Sequence, residues 1–378
     1  MPSFPLTIAG LRDFCNREQE RADLASNMQQ QRHTLLISPR RYGKTSLVMR
    51  TLAETKLPYC AIDLFAVTDS LSVKEAFFDG VGYGLGKLLP KTNSLKQKLS
   101  LTLKSMNPTI ELGAFGQKIV LHPQQSTTLA IQKLLLGLDE YAAKQKQAMV
   151  IFLDEFQQLA TIKDGQAIEG AIRSAMQHSK YVCYVFSGSR RHLLADMFED
   201  SNKPFYHSCE KMILQRISKE SYQPFLQQAA QNQWQQPIDS QSLNQILEYC
   251  QCHAYYVNLL CGKLWRQSTA PTLEDVEKTW LDCITSESRR VREEFTRLSP
   301  NQRAMLTVIA RTPSSEPTGK EIISHARLSS SSAKLALEYL FDNDWIYRQS
   351  DGVIYAIDPV IAAWLQQPNL GILTELMD

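Results

Sequence analysis

The sequence predicts an α/β chain: a parallel sheet covered by helices, followed by an all-α segment and a winged helix. Three observations carry that expectation. Through the first half, short apolar runs alternate with helical patterns, as in strands joined by crossover helices. From about Glu220 to Arg297 the pattern is helical and rich in Gln. After Leu298, three short helical patterns precede WIYRQSDGVIYAID, two strand-like arms about an Asp-Gly turn.

The elements follow in chain order. Leu24 and Met28 space out a short helix within Phe14 to Gln31. Thr34 to Ile37 reads as a buried strand and Thr45 to Ala53 as a helix. YCAIDLF, Tyr59 to Phe65, is a second strand, with a helix near Val73 to Leu89. PTIELGAFGQKIVLH, residues 108 to 122, has two alternating arms around Gly113 to Gly116 and reads as a β-hairpin insertion. Its apolar residues Ile110, Leu112, Ile119 and Leu121 make it either a partner-docking ribbon or an extension of the sheet. A helix runs from about Ser126 to Lys146. Met149 to Leu153 is a continuous apolar strand ending in Asp154-Glu155. A helix over Ala167 to Ser179 leads to the strand Tyr181 to Phe186, which ends in Ser-Gly-Ser-Arg-Arg. The three C-terminal helices are expected near 300–311, 319–326 and 329–342. The expected domains are a core over 1–208, a helical lid over 209–297 and a winged helix over 298–378.

Bulk properties narrow the classes. With 378 residues the chain exceeds one ordinary core. Its 41 Lys plus Arg against 39 Asp plus Glu give a net charge of +2, which argues against a bulk nucleic-acid or membrane binder. Eight cysteines are scattered without a CxxC pair, so buried reduced thiols are expected rather than a zinc site. No apolar run nears the roughly 18 residues of a membrane span. MPSFPLTIAG lacks a basic-then-apolar signal pattern. A cytoplasmic location is expected.

The chemistry concentrates in LLISPRRYGKTSLVMR, residues 35 to 50. A phosphate cradle needs a delivering strand, inward backbone N–H groups, a helix N-terminus and a lysine. Leu35 to Ile37 supplies the strand, and Gly43 permits the tight nest. Lys44 is expected on the β- and γ-phosphates and the Thr45 hydroxyl on Mg²⁺. Ser38 stands where the GxxxxGK[ST] pattern has its first glycine, which serine fills if φ is negative. Pro39 stiffens the loop, and Arg40, Arg41, Tyr42 and Ser46 complete it. The alternative is a basic turn containing Gly-Lys-Thr by chance. IFLDEF weighs against that, because it puts two carboxylates at the end of a buried strand, where ligands of open α/β sheets bind. Asp154 is the metal candidate and Glu155 the general base for the attacking water. In FSGSRR, Ser189 or Arg190 is expected to reach the γ-phosphate; the alternative is a solvated basic loop.

Several of these pieces, in order, resemble the archaeal-type ATPases of the STAND class, relatives of the AAA+ P-loop NTPases. FCNREQE, residues 14 to 20, is similar to the family's base-packing box, with Asn16 in place of glycine and Arg17 as its arginine. SPRRYGKTSL resembles its phosphate loop and FLDEFQQL its Walker B strand. GSRR sits at its sensor strand. CHAYYVNLLCGKLW, residues 252 to 265, resembles its lid helix, with His253 retained and Cys252 and Ala254 replacing glycine and proline. LSPNQRAMLTVIA and DPVIAAWL resemble its winged-helix ends. The resemblance spans nearly the whole chain and implies ATP and Mg²⁺ as cofactors and slow, regulatory hydrolysis. His253 as a phosphate contact stands beside a plain helix-start histidine, and Tyr255-Tyr256 as core packing beside adenine stacking.

A winged helix invites a DNA-binding reading, and charge tests it. From Ser299 to Asp378 there are six cations, Arg303, Arg311, Lys320, Arg327, Lys334 and Arg348, against nine acids. Counterion release needs Lys and Arg, so a domain folded back as a reporter of nucleotide state is favoured over duplex binding. Lys91, Lys96, Lys98 and Lys104 offer a second basic segment, more often a solvated face. The leading expectation is an ATP-driven switch that controls a protein partner or self-assembly. The alternatives are a DNA-associated ATPase and a nucleotide-bound scaffold that hydrolyses nothing.

Overall fold

A computed structural model describes residues 4–10, 13–88, 109–113, 116–120, 126–349 and 352–367. The chain forms two compact units. A sheet unit comprises 17–40 and 44–214; a C-terminal unit comprises 1–16, 41–43 and 215–378.

The sheet unit opens with α1 (Glu18–Gln29), β1 (Thr34–Ile37), α2 (Lys44–Thr55), β2 (Tyr59–Asp63) and α3 (Ser70–Leu88). After a hairpin come α4 (Thr127–Gln145), β5 (Met149–Asp154), a 3₁₀ turn at Phe156–Thr161, α5 (Gly165–His178), β6 (Val182–Gly188), α6 (Arg191–Glu199) and β7 (Glu210–Ile213). The five strands are parallel in the order β2-β5-β6-β1-β7. β1, β5 and β6 are buried almost throughout and largely apolar, as in a parallel sheet with helices on both faces. Ile37 lies opposite Gly188 of β6, and Asp63 of β2 opposite Asp154 of β5. The C-terminal ends of these four strands thus lie side by side.

β7 had no sequence signature. It is an edge strand with Glu210, Lys211 and Ile213 exposed, so no apolar run marks it. Beneath the sheet, Phe156 packs against Phe186 at 4.7 Å and Phe205 at 5.4 Å. A fully buried Phe contributes about 1.5–3 kcal/mol, which anchors the turn that follows β5.

β3 (Thr109–Gly113) and β4 (Gly116–Val120) pair antiparallel, as the alternation indicated. They form a separate two-stranded sheet with β4 beside α3, so the ribbon does not extend the main sheet. Lys91, Lys96, Lys98, Lys104 and Leu121, and the side chains of Ile110, Leu112 and Ile119, lie outside the described residues.

In the C-terminal unit an apolar core runs from Phe4 through the lid-region helices to Trp364 and Leu365. Its helices are α7 (Lys219–Trp234), α8 (Ser240–Tyr249), α9 (Ala254–Leu264) and α10 (Leu273–Thr296). α11 (Pro300–Arg311), α12 (Lys320–Ala326) and α13 (Ser330–Asp342) follow, then strands β8 (Ile346–Arg348) and β9 (Ile354–Ala356) and helix α14 (Pro359–Gln366). α11 starts where the sequence says it should: Ser299 and Gln302 form a capping box and Pro300 takes the first turn. β8 and β9 pair antiparallel, completing the winged helix.

Candidate functional site

β1 delivers the loop. Ser38 and Pro39 follow it, buried, and Ser38 is not among the positive-φ residues, so serine fits where the pattern has glycine. Arg41 at φ 64° and Gly43 at φ 89° turn the backbone through the left-handed region. Nothing lies within 4 Å of a Cβ built on Gly43, so its glycine serves conformation and not space. Such left-handed steps point successive N–H groups to one side, the geometry of an anion nest.

Lys44 opens α2, and its ammonium folds back into the loop. Nζ donates to Ser38 O at 2.9 Å, Pro39 O at 3.1 Å and Ser38 Oγ at 3.3 Å. The buried ammonium, 6% exposed, thus sits against loop carbonyls and a hydroxyl, a cation placed to meet an anion. Thr45 Oγ1 donates to Asp154 Oδ2 at 2.6 Å. The other oxygen of Asp154 accepts from Ser187 Oγ and from the Glu155 N–H at 3.0 Å. The carboxylate is thereby fixed in aim.

Glu155 stands at φ 51°, left-handed, which swings its side chain off the line of β5. Its Oε2 accepts from Ser189 Oγ at 2.9 Å and Gln157 Nε2 at 2.5 Å. Arg40 Nε reaches Ser189 Oγ at 3.4 Å. Asp63 adds a third carboxyl. Burial, and then the negative charges of Asp154 and Glu155, push its pKa up. Lys44, Thr45, Asp154, Glu155, Ser189 and Arg40 are thus gathered as a set. Three further participants, Ser187, Gln157 and Asp63, were not singled out. A serine inside an apolar strand and an acid ending YCAID were the available signals.

Other candidates stand apart. Arg190 is exposed before α6 and makes no side-chain hydrogen bond or ion pair with Asp154 or Glu155. Arg17 is buried and pairs with Glu20 at 3.0 Å. Ser46 lies half-buried on the first turn of α2. Arg41 and Tyr42 group with the C-terminal unit. The Arg41 guanidinium lies 4.1 Å from the Tyr255 ring centre. Tyr42 is buried with Tyr347 and Ile357, edge-on to His253 at 4.9 Å, and its Oη accepts from Arg216 Nε at 3.2 Å. Burial, with the charges of Arg216 and Arg41, holds His253 neutral. Tyr256 is 1% exposed and hydrogen-bonded to Asp358, so it packs in the core as the plainer reading had it.

At two positions where the chain departs from the resembled motifs, the backbone favours the motifs' glycine. Asn16 has φ 51° and Cys252 φ 53°, left-handed values that glycine adopts at least cost. Asn tolerates that region; a cysteine there carries about 1–2 kcal/mol of strain.

The donor set suits magnesium. A hydroxyl and a carboxylate oxygen 2.6 Å apart match a hard cation that takes one or two protein oxygens plus phosphate and water. No group of three or more His, Cys, Asp and Glu that could hold a metal occurs among the described residues, and a nucleotide-bound Mg²⁺ requires none. No helix among them is long and apolar enough to cross a membrane.

Comparison with known proteins places the fold. A family described as a probable winged helix domain matches residues 291–367. A Walker-type ATPase of Pyrococcus abyssi superposes with a TM-score of 0.69 at 19% identity, covering 96% of this chain and 99% of that one. The ORC2 protein of Aeropyrum pernix gives 0.57 at 12% identity over 96% and 93% of the two chains. The ORC1 protein of the same organism, in complex with DNA, gives 0.50 at 11% over 98% and 96%. No curated protein matches. The chain has the P-loop NTPase fold, a five-stranded parallel sheet with flanking helices, followed by a winged helix.

Proposed function

We propose that the chain binds ATP with Mg²⁺, hydrolyses it slowly, and serves as a switch of the signal-transduction ATPase type. The observation that carries the reading is the Thr45–Asp154 contact at 2.6 Å beside the buried Lys44 ammonium. It joins the first turn of α2 to the end of β5 at one spot. Lys44 exchanges its carbonyl partners for phosphate oxygens, and the loop's N–H groups hold the rest of the triphosphate. Thr45 and Asp154 would hold Mg²⁺, which would supply charge neutralisation of the phosphates. Glu155 orients the attacking water and takes its proton, and Ser189 lies beside it.

The output follows from the tip of the loop. Arg41 and Tyr42 pack with Tyr255, His253, Arg216 and Tyr347. Nucleotide state at the loop is thereby coupled to core, lid and winged helix over 1–208, 209–297 and 298–378. The controlled object is a protein partner or a second copy of the chain. On the third helix of the winged-helix region, Leu335 is 67% exposed and Tyr339 40%, a face better suited to protein than to phosphates. One structural relative is a complex with DNA, so DNA belongs in the test.

Turnover of wild type, Lys44→Ala and Glu155→Gln decides, with and without duplex DNA and with sizing of each sample. Lys44→Ala is expected to lose nucleotide affinity; Glu155→Gln is expected to keep it and lose turnover by about 10²-fold or more. Glu155→Gln turning over at the wild-type rate would sink the hydrolytic reading.

A further inference from the structure

We infer that Gln157 is the positioning residue for Glu155, and that position 188 is glycine to make room for its amide. The inference rests on the reading of Glu155 as the base. Gln157 follows Glu155 by two residues, in the 3₁₀ turn that Phe156 anchors. It is 0% exposed. Its Nε2 donates to Glu155 Oε2 at 2.5 Å.

Both donors to Glu155, Gln157 and Ser189, fall on Oε2. Oε1 takes no hydrogen bond among the described residues. One oxygen of the carboxylate is tethered and the other is left to accept a proton from water. That arrangement fixes the aim of a base without occupying it. A serine hydroxyl can rotate away. The planar amide of Gln157 is enclosed at both ends, so its donor direction is set by packing.

The amide's other end gives the second, independent observation. Gln157 Oε1 is buried with no hydrogen-bond partner. A Cβ built on Gly188 would lie 1.9 Å from it and 3.0 Å from Leu194 Cδ1. Gly188 is not in the left-handed region, so its backbone does not call for glycine. What calls for it is the amide. Gly188 is the last residue of β6 and pairs with Ile37, the last residue of β1. The seat for Gln157 is therefore built into the strand beside the one that delivers the phosphate loop. An unpaired buried oxygen is a stability cost, so a purely structural role would be served better by leucine.

The test measures kcat, KM for ATP and Tm of Gln157→Leu, Gly188→Ala and the Gln157→Ala/Gly188→Ala pair, with Gln157→Leu repeated in the Glu155→Gln background. Gln157→Leu is expected to lower kcat about 10- to 100-fold with KM within about two-fold and Tm no lower than wild type. Gly188→Ala is expected to lower kcat likewise, and to have no further effect once Gln157→Ala has emptied the space. In the Glu155→Gln background, Gln157→Leu is expected to change residual turnover by less than about two-fold, because the residue it positions is gone. Wild-type kcat in Gln157→Leu, or an equal loss in both backgrounds, would overturn the inference. If Gln157→Leu does not fold, Gln157→Met carries the same comparison. Wild-type turnover in Glu155→Gln would instead overturn the base assignment itself.

Discussion

Acid is predicted to destabilise the sheet unit through His33, the residue that precedes β1. The His33 Nδ1 accepts the backbone N–H of Tyr184 at 3.2 Å. A ring nitrogen that accepts must be unprotonated, so the neutral ring carries its proton on Nε2. Charging the ring would set a new N–H against an existing one. Burial is the largest cause, Arg173 adds repulsion, and a hydrogen bond to the backbone of Met176 opposes both; the pKa falls from 6.5 to about 4. The folded value lies below the unfolded one. The stabilisation is therefore complete above about pH 6.5 and is lost as pH falls through the folded value. At about 1.36 kcal/mol per pKa unit, a drop from 6.5 to about 4 amounts to about 3 kcal/mol. The assay is urea unfolding at pH 7.5 and pH 4.5 for wild type and His33→Gln. Other titrating groups are common to both proteins, so the variant is expected to lose about 3 kcal/mol less on acidification. Equal losses in the two proteins would refute the argument.

Three further outcomes are expected. Thr45→Ala removes the hydroxyl that meets Asp154; ATP turnover is expected to fall at least about 10²-fold, the same loss expected on adding EDTA to wild type, while urea stability changes by about 1 kcal/mol. Arg216→Ala deletes donors to Tyr42 Oη, to the carbonyl and side-chain oxygens of Gln251, and to Ile357 O; chemical denaturation is expected to show a loss of about 3 kcal/mol, with little rescue by Arg216→Lys, since a point charge cannot fill a fork. Glu169 is 2% exposed with Oε2 unpartnered, and burial raises its pKa above 4.5. Raised folded affinity for the proton means stability lost as pH climbs past that range, so Glu169→Gln is expected to raise the urea midpoint more at pH 8 than at pH 4.

How much of this was legible depended on how buried each element is. β1, β5 and β6 are buried along their length and appear in the sequence as largely apolar runs. β2 alternates at its edge and was still readable, whereas β7 pairs only through β1 and carries charges outward. That Lys44, Thr45, Asp154 and Glu155 come together was legible because the motif fixes their type and their place after a strand. Gln157 and Ser187 were not. Their work is done through another residue's carboxylate, and nothing in the identity of a glutamine reports which oxygen it holds. Arg17 and Arg190 had the right charge in the right motif, yet one is paired along its own helix and the other faces solvent.

The switch reading depends on three residues of the loop. The covalent chain leaves the sheet unit after Arg40 and returns to it at Lys44. Between those points Tyr42 is 4% exposed, enclosed with Tyr347 and Ile357 and bonded to Arg216. Arg216 in turn holds the carbonyl of Ile357, one residue before the Asp358 that caps α14. The φ angles on either side, 64° at Arg41 and 89° at Gly43, are those that let the loop curl. Any rearrangement of that curl must displace Tyr42 from its aromatic seat or carry Tyr347 and Arg216 with it. Close-packed interiors do not deform continuously, so the seat is either kept or left, and a two-position element is what a nucleotide-driven switch requires.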